Sequence, residues 1–130
     1  PVDGSGAPTI ERKESAAFTL NGATTTFDDV NAQYNENLQY LELSANSNGN
    51  TIGFECSPIP AAGTYTSSQT IGLALSIGDD FWFCNDGCTV VVNEYNADLR
   101  WFDVSVSGEV TDLFSTTSAT LNSARIKVFY

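Results

Sequence analysis

Residues 81–107 read FWFCNDGCTVVVNEYNADLRWFDVSVS, and this stretch decides the fold class of the chain. Apolar and polar side chains alternate along much of it, and two clusters of Asn, Asp and Gly or Ala interrupt the alternation. A period of two places successive side chains on opposite faces, which is the pattern of a half-buried β-strand. The stretch therefore predicts two hairpins, one turning at Asn85-Asp86-Gly87 and the other at Asn96-Ala97-Asp98.

The second turn also predicts a strand register. It pairs Tyr95 with Leu99 and Glu94 with Arg100, and the opposite charges of the latter pair support that alignment. In this register the core-facing residues are Val90, Val92, Phe102, Val104 and Val106. The other face carries large apolar groups among polar ones, namely Val91, Asn93, Tyr95, Leu99, Trp101 and Asp103.

The same alternation recurs outward along the chain, and no window shows apolar residues at helical spacing over three turns. The sequence therefore predicts an all-β fold, an antiparallel β-sandwich of about eight strands, with a flattened β-barrel as the alternative. Residues 1–14 are predicted to be an N-terminal extension and residues 15–130 a single domain. The predicted strands span residues 15–20, 38–45, 50–56, 70–77, 81–84, 88–96, 99–110 and 123–130.

Charge and composition exclude several classes of partner. The 130 residues carry a formal net charge of −11, which repels nucleic acid and anionic membranes. No apolar run approaches the ~20 residues needed to cross a bilayer as a helix. The chain contains no Met and opens with Pro-Val-Asp-Gly, which favours a processed, exported protein at a cell surface or outside the cell.

Three cysteines allow one disulfide with one thiol left over, in three pairings. We favour a bond between Cys84 and Cys88, because the three residues between them have the composition of a hairpin loop. Zinc is disfavoured by the absence of His. Cys56 is then expected to be a buried apolar residue, or else an intermolecular link.

Several segments together resemble a family of uncharacterised exported domains, the β-sandwich lipoproteins of Bacteroidetes-type bacteria. The motifs that carry this resemblance are short and spread over residues 16–130: they lie in residues 18–22, 63–65, 87–95, 104–110 and 121–130. The resemblance implies an exported β-sandwich and brings no established activity with it.

The residue composition gives little support to an enzymatic function. The chain has no His and no nucleophile motif such as G-x-S-x-G, so we expect it not to be an enzyme. The pairs Asp28-Asp29 and Asp79-Asp80 are the remaining candidates for an acid and a base, but adjacent strand residues point to opposite faces.

Calcium is the one cofactor that the sequence leaves open. Asp79, Asp80 and Asp86 flank a short predicted strand, and carboxylates suit this hard cation. No EF-hand pattern accompanies them, and Asp is common in turns for reasons of its own backbone hydrogen bonding.

Two functions remain. The first is surface architecture or adhesion, with copies or partner proteins associating through sheet edges or through the N-terminal extension. The alternative is glycan binding on an aromatic sheet face, for which we single out Asn93, Tyr95, Trp101 and Asp103. The competing interpretation of these four residues, called below the predicted platform, is that they are covered by another segment or partner.

Overall fold

A computed structural model describes residues 12–130, apart from the side chains of Asn85 and Asp86. This part of the chain contains ten β-strands and no helix. The strands are β1 (Ser15–Leu20), β2 (Ala23–Phe27), β3 (Asn31–Asn35), β4 (Tyr40–Ser47), β5 (Asn50–Cys56), β6 (Gly63–Thr66), β7 (Ile71–Ile77), β8 (Asp80–Asn96), β9 (Trp101–Asp112) and β10 (Ser118–Phe129).

All strand pairs are antiparallel and belong to one sheet. Its order is β2-β1-β10-β9-β8-β7-β5-β4-β3, and β6 pairs with β8 beyond the end of β7. The sheet curls into a half-barrel, so that β2 approaches β4 and β3 approaches β10. The prediction of an all-β antiparallel domain is confirmed, and the curled sheet is consistent with the predicted sandwich or flattened barrel.

The core fills the inside of the curl. Alternate residues of β4, β5 and β7 point inward, and side chains such as Leu43, Phe54 and Leu75 are almost completely buried. Burying a side chain of this size contributes about 1.5–3 kcal/mol. The five core residues predicted on β8 and β9, Val90, Val92, Phe102, Val104 and Val106, are also buried, which confirms that part of the prediction.

The first predicted hairpin is wrong. Residues 81–84 and 88–96 belong to one long strand, β8, and both parts pair with β9. Cys84 pairs with Val110, and Cys88 pairs with Gly108. The chain therefore advances by four residues along β8 where it advances by only two along β9. Because β9 offers a continuous partner, the extra residues form a bulge instead of reversing the chain.

The predicted disulfide closes this bulge. Cys84 and Cys88 are bonded, with their Cα atoms 5.7 Å apart. Gly108 lies directly beneath, at a φ of 139°. A Cβ atom there would come within 2.7 Å of the Gly87 carbonyl oxygen and 2.9 Å of the Cys88 Cα. Only glycine therefore allows β9 to approach the bulge so closely.

The register predicted for the second hairpin is also wrong. Tyr95 pairs with Phe102 and Asn96 with Trp101, which leaves residues 97–100 as a longer loop. The side-chain oxygen of Asn96 accepts the backbone N–H of Leu99 at 3.0 Å and stabilises that loop. A second bulge, at Asn93, then shifts the register between Val92 and Glu94.

The remaining predictions concern the chain end, the membrane and Cys56. Residues 1–11 of the predicted extension lie outside the described residues, and β1 begins at Ser15 as expected. Within residues 12–130 no helix is long and apolar enough to cross a membrane. Cys56 is a free, buried cysteine, as predicted, and burial raises the pKa of its thiol to about 12.

Candidate functional site

The bulge at Asn93 divides the predicted platform between two faces of the sheet. Directly opposite residues of an antiparallel pair share a face, so Tyr95 lies on the inner face with its partner Phe102. The two rings meet edge to face with their centroids 6.3 Å apart. Trp101 and Asp103 lie on the outer face, so a single flat surface containing all four residues does not form.

Trp101 is also covered. Its side chain is only 2% exposed, and the Phe129 ring packs against it with centroids 4.7 Å apart. Among residues 12–130 its indole N–H has no hydrogen-bond partner. A sugar ring therefore has no access to the face of this tryptophan, so Trp101 does not offer the stacking surface that the predicted platform requires.

The two polar members of the platform serve the structure of the sheet. Asp103 is 6% exposed and accepts two hydrogen bonds from Arg125, at 3.1 Å from Nε and 2.8 Å from Nη2. The amide of Asn93 donates to Asp103 at 3.2 Å and to Ser105 at 2.8 Å. The hydrogen bond to Asp103 raises the pKa of Arg125, because the carboxylate stabilises the charged guanidinium. Because these groups satisfy one another, they offer few free atoms to a ligand.

The structure describes the side chains of two of the three predicted calcium residues. Asp79 and Asp80 are exposed at the turn between β7 and β8, and the side chain of Asp86 lies outside the described residues. In the part of the chain that is described, no three Asp, Glu, Cys or His side chains are grouped as metal ligands would be. Asp28 and Asp29, the other acidic pair, lie exposed between β2 and β3.

A groove of about 510 Å³ lies on the outer face of the sheet, over β4, β5, β7 and β8. We call it the outer groove. One cross-strand row, running from β4 to β8, forms its centre: Ser44, Gly53, Ala74 and Phe83. Gly72 lies in the next row. The groove exists because the central side chains on β4, β5 and β7 are small or missing, while their neighbours along each strand point into the core.

The side of the outer groove on β8 is aromatic. Phe81 and Phe83 project from the same face of β8, opposite Ser76 and Ala74 of β7. Both rings are partly exposed. They provide flat apolar surface beside a floor that also carries the hydroxyl groups of Ser44 and Ser76.

The other side of the outer groove is acidic. Glu42 of β4 and Glu55 of β5 are directly opposite in the ladder, an arrangement of like charges that is unfavourable by itself. The Tyr40 hydroxyl lies 2.6 Å from Glu55 Oε2 and 3.2 Å from Glu42 Oε2, and its proton offsets part of that repulsion. The hydrogen bond to Glu55 is the main reason why the pKa of Tyr40 is raised above its usual range.

The sequence does contain a signal for this groove. In β5 and β7 the outward positions 53, 72 and 74 are Gly, Gly and Ala, where surface strands usually carry larger polar or β-branched residues. The Phe81 and Phe83 rings lie on one side of these small residues, and the carboxylates of Glu42 and Glu55 lie on the other. Sequence reasoning missed it because the small residues come from different strands and meet only when the register is known.

No family model matches the sequence, and no curated protein or solved structure matches it either. The interpretation of the outer groove therefore depends on its own chemistry.

Proposed function

We propose that the chain is a non-enzymatic adhesion protein, exported to the cell surface or beyond, which holds a glycan in the outer groove. The observation that carries this proposal is the combination of a small-residue floor with aromatic rings on one side and carboxylates on the other. The groove volume falls within the range of about 300–1,000 Å³ that is usual for small-molecule sites.

The two sides suit the two kinds of surface on a sugar. The C–H faces of a pyranose ring are weakly apolar and pack against aromatic rings, here Phe81 and Phe83. Its hydroxyl groups donate hydrogen bonds, and ionised carboxylates such as Glu42 and Glu55 are strong acceptors. Ser44 and Ser76 add hydroxyl groups that both donate and accept.

Other features are in keeping with a role in binding instead of catalysis. No His is present to transfer protons, and the phenol of Tyr40 holds its proton more firmly than usual, because its pKa is raised. The disulfide suits an oxidising compartment, where such bonds persist. The resemblance to exported domains points to the same location.

A substitution that fills the outer groove without disturbing the sheet tests this proposal. At Gly53 an added Cβ would meet only ordinary contacts, the nearest at 3.8 Å from the Leu43 carbonyl oxygen, so Gly53→Val should fold. Ser123→Val adds a similar branched side chain on the exposed face of β10 and is the matched control.

The assay is a panel of neutral oligosaccharides, followed by calorimetry on those that bind. The wild type and Ser123→Val should bind alike, and Gly53→Val should lose at least tenfold in affinity. Phe83→Ala should weaken binding by a similar factor, because one stacking surface is removed. Absence of binding by the wild type, or equal binding by Gly53→Val, would remove the outer groove as the site.

Self-association through sheet edges is a second candidate. The observation that favours it is that β2 and β3, at the two ends of the sheet, each pair with one strand only among those described. Light scattering across a concentration series tests it: Thr26→Lys places a charge on the exposed edge strand β2 and should shift any oligomer toward the monomer. A wild type that is monomeric at every concentration would exclude this candidate.

A further inference from the structure

A cluster of tyrosines and one arginine lies where β3 meets the end of β10. The Tyr34 and Tyr130 rings are in edge contact, with centroids 5.2 Å apart. The guanidinium carbon of Arg100, from the loop between β8 and β9, lies 5.7 Å from the Tyr34 ring centroid and 5.8 Å from that of Tyr130. Three separate segments of the chain therefore hold one cation in place.

Arg100 is the one arginine in residues 12–130 that has no carboxylate partner. Arg12 pairs with Glu94 at 2.7 Å and Arg125 with Asp103 at 2.8 Å. The Arg100 side chain is exposed and makes no hydrogen bond within the described chain, although its guanidinium carries five N–H donors.

The backbone at Arg100 is fixed in a conformation that arginine does not prefer. Its φ is 53°, in the left-handed region where Gly or Asn is usual. The Arg100 carbonyl oxygen accepts the backbone N–H of Tyr130 at 2.9 Å, which ties the loop to the end of β10. Strained residues of this kind often occur at binding sites, where the surrounding structure holds them in position.

The geometry points to a binding site for the carboxylate of a sugar acid, formed by the Arg100 guanidinium with the Tyr34 and Tyr130 rings beside it. A planar guanidinium recognises a planar carboxylate through two parallel hydrogen bonds. The neighbouring rings restrict the arginine before the ligand arrives, so less rotamer entropy is lost on binding. The tyrosine rings also provide surface for the sugar.

The net charge of the protein does not by itself keep an anion away from this site. At physiological ionic strength, charges farther away than about 8 Å are largely screened, so most of the acidic residues act on it only weakly. Burial, followed by a hydrogen bond with Tyr95, raises the pKa of Tyr130 above its usual range. The phenol therefore stays protonated at neutral pH and adds no negative charge to the site. This site is separate from the outer groove and does not depend on it.

The experiment follows the Nε–H resonance of Arg100 by NMR while glucuronate, glucose or inorganic sulfate is added to the full chain. Glucuronate should produce a saturable shift, and glucose, which lacks the carboxylate, should produce none. Arg100→Asn should abolish the glucuronate response seen at nearby backbone amides. Asn tolerates the left-handed backbone, so this variant is expected to fold. Lys13→Gln removes one exposed cation and leaves Arg100 in place, so it should bind as the wild type does.

The Arg100→Lys variant distinguishes the contribution of the planar guanidinium from that of its positive charge. It keeps the positive charge and loses the planar pair of donors, so its affinity for glucuronate should fall at least tenfold. Equal responses in the wild type and Arg100→Asn would overturn the proposal, and so would the absence of a saturable shift in the wild type. A sulfate response as strong as that of glucuronate would overturn the assignment to a carboxylate.

Discussion

Replacing Gly108 with alanine should destabilise the protein by about 2–6 kcal/mol. The estimate adds a strained backbone, about 1–3 kcal/mol for a non-glycine residue in this region, to about 1–3 kcal/mol for overpacking. The overpacking is specific, since the new methyl group would lie 2.7 Å from a carbonyl oxygen of the bulge. Because backbone atoms cannot rotate away as a side chain can, the strands must separate locally.

Two other glycines separate the causes of this effect. Gly22 has a φ of 82°, and an added methyl group there would have no neighbour within 4 Å, so Gly22→Ala should show the backbone strain alone, about 1 kcal/mol. Gly53 has neither strain nor a clash, and Gly53→Ala should be neutral or slightly stabilising, by about 0.4–1 kcal/mol.

Urea unfolding measures the series. With a slope of about 2 kcal/mol per molar urea, the midpoint of Gly108→Ala should fall by about 1–3 M. Total stabilities of about 5–15 kcal/mol make such a loss easy to detect. If Gly108→Ala unfolds at the same urea concentration as Gly22→Ala, the close approach of β9 to the bulge is not the reason for glycine at this position.

Three further predictions concern the disulfide, the free thiol and the ion pair between Arg125 and Asp103. Replacing both Cys84 and Cys88 with alanine should cost no more than about 2 kcal/mol in urea unfolding, since the closed loop is short. Cys56 should resist alkylation in the native protein at pH 8. Because its folded pKa of about 12 exceeds the unfolded value near 9, stability should decline as the pH rises above about 9, and Cys56→Val should reduce that decline. Arg125→Gln leaves the carboxylate of Asp103 without its charged partner and should cost about 1–3 kcal/mol, whereas an unchanged thermal midpoint would show that the pair contributes nothing.

The strands with strong alternation could be predicted from the sequence. The inward rows of β5, β7 and β9 follow directly from their apolar positions, and β1 and β5 match their predicted bounds. The strands β2, β3 and β6 were missed because they are short and mostly exposed, so the core imposes little pattern on their residues.

The bulge at Asn93 explains why the predicted platform does not form a single surface. An extra residue at position 93 reverses which face every later side chain of β8 occupies, and no local composition marks it. Tyr95 therefore contacts the core, although simple alternation from Val92 places it outside. The disulfide was predictable because it depends on a spacing of four residues, which a bulge satisfies as well as a hairpin does.

The length of β8 has a consequence for how the domain unfolds. Its 17 residues pair with β9 on one side, and on the other side with β7 over one half and with β6 over the other. Neither half of the sheet can detach while this shared strand stays in place. The most slowly exchanging amide protons should therefore be those at the middle of β8, released only when the entire domain opens cooperatively.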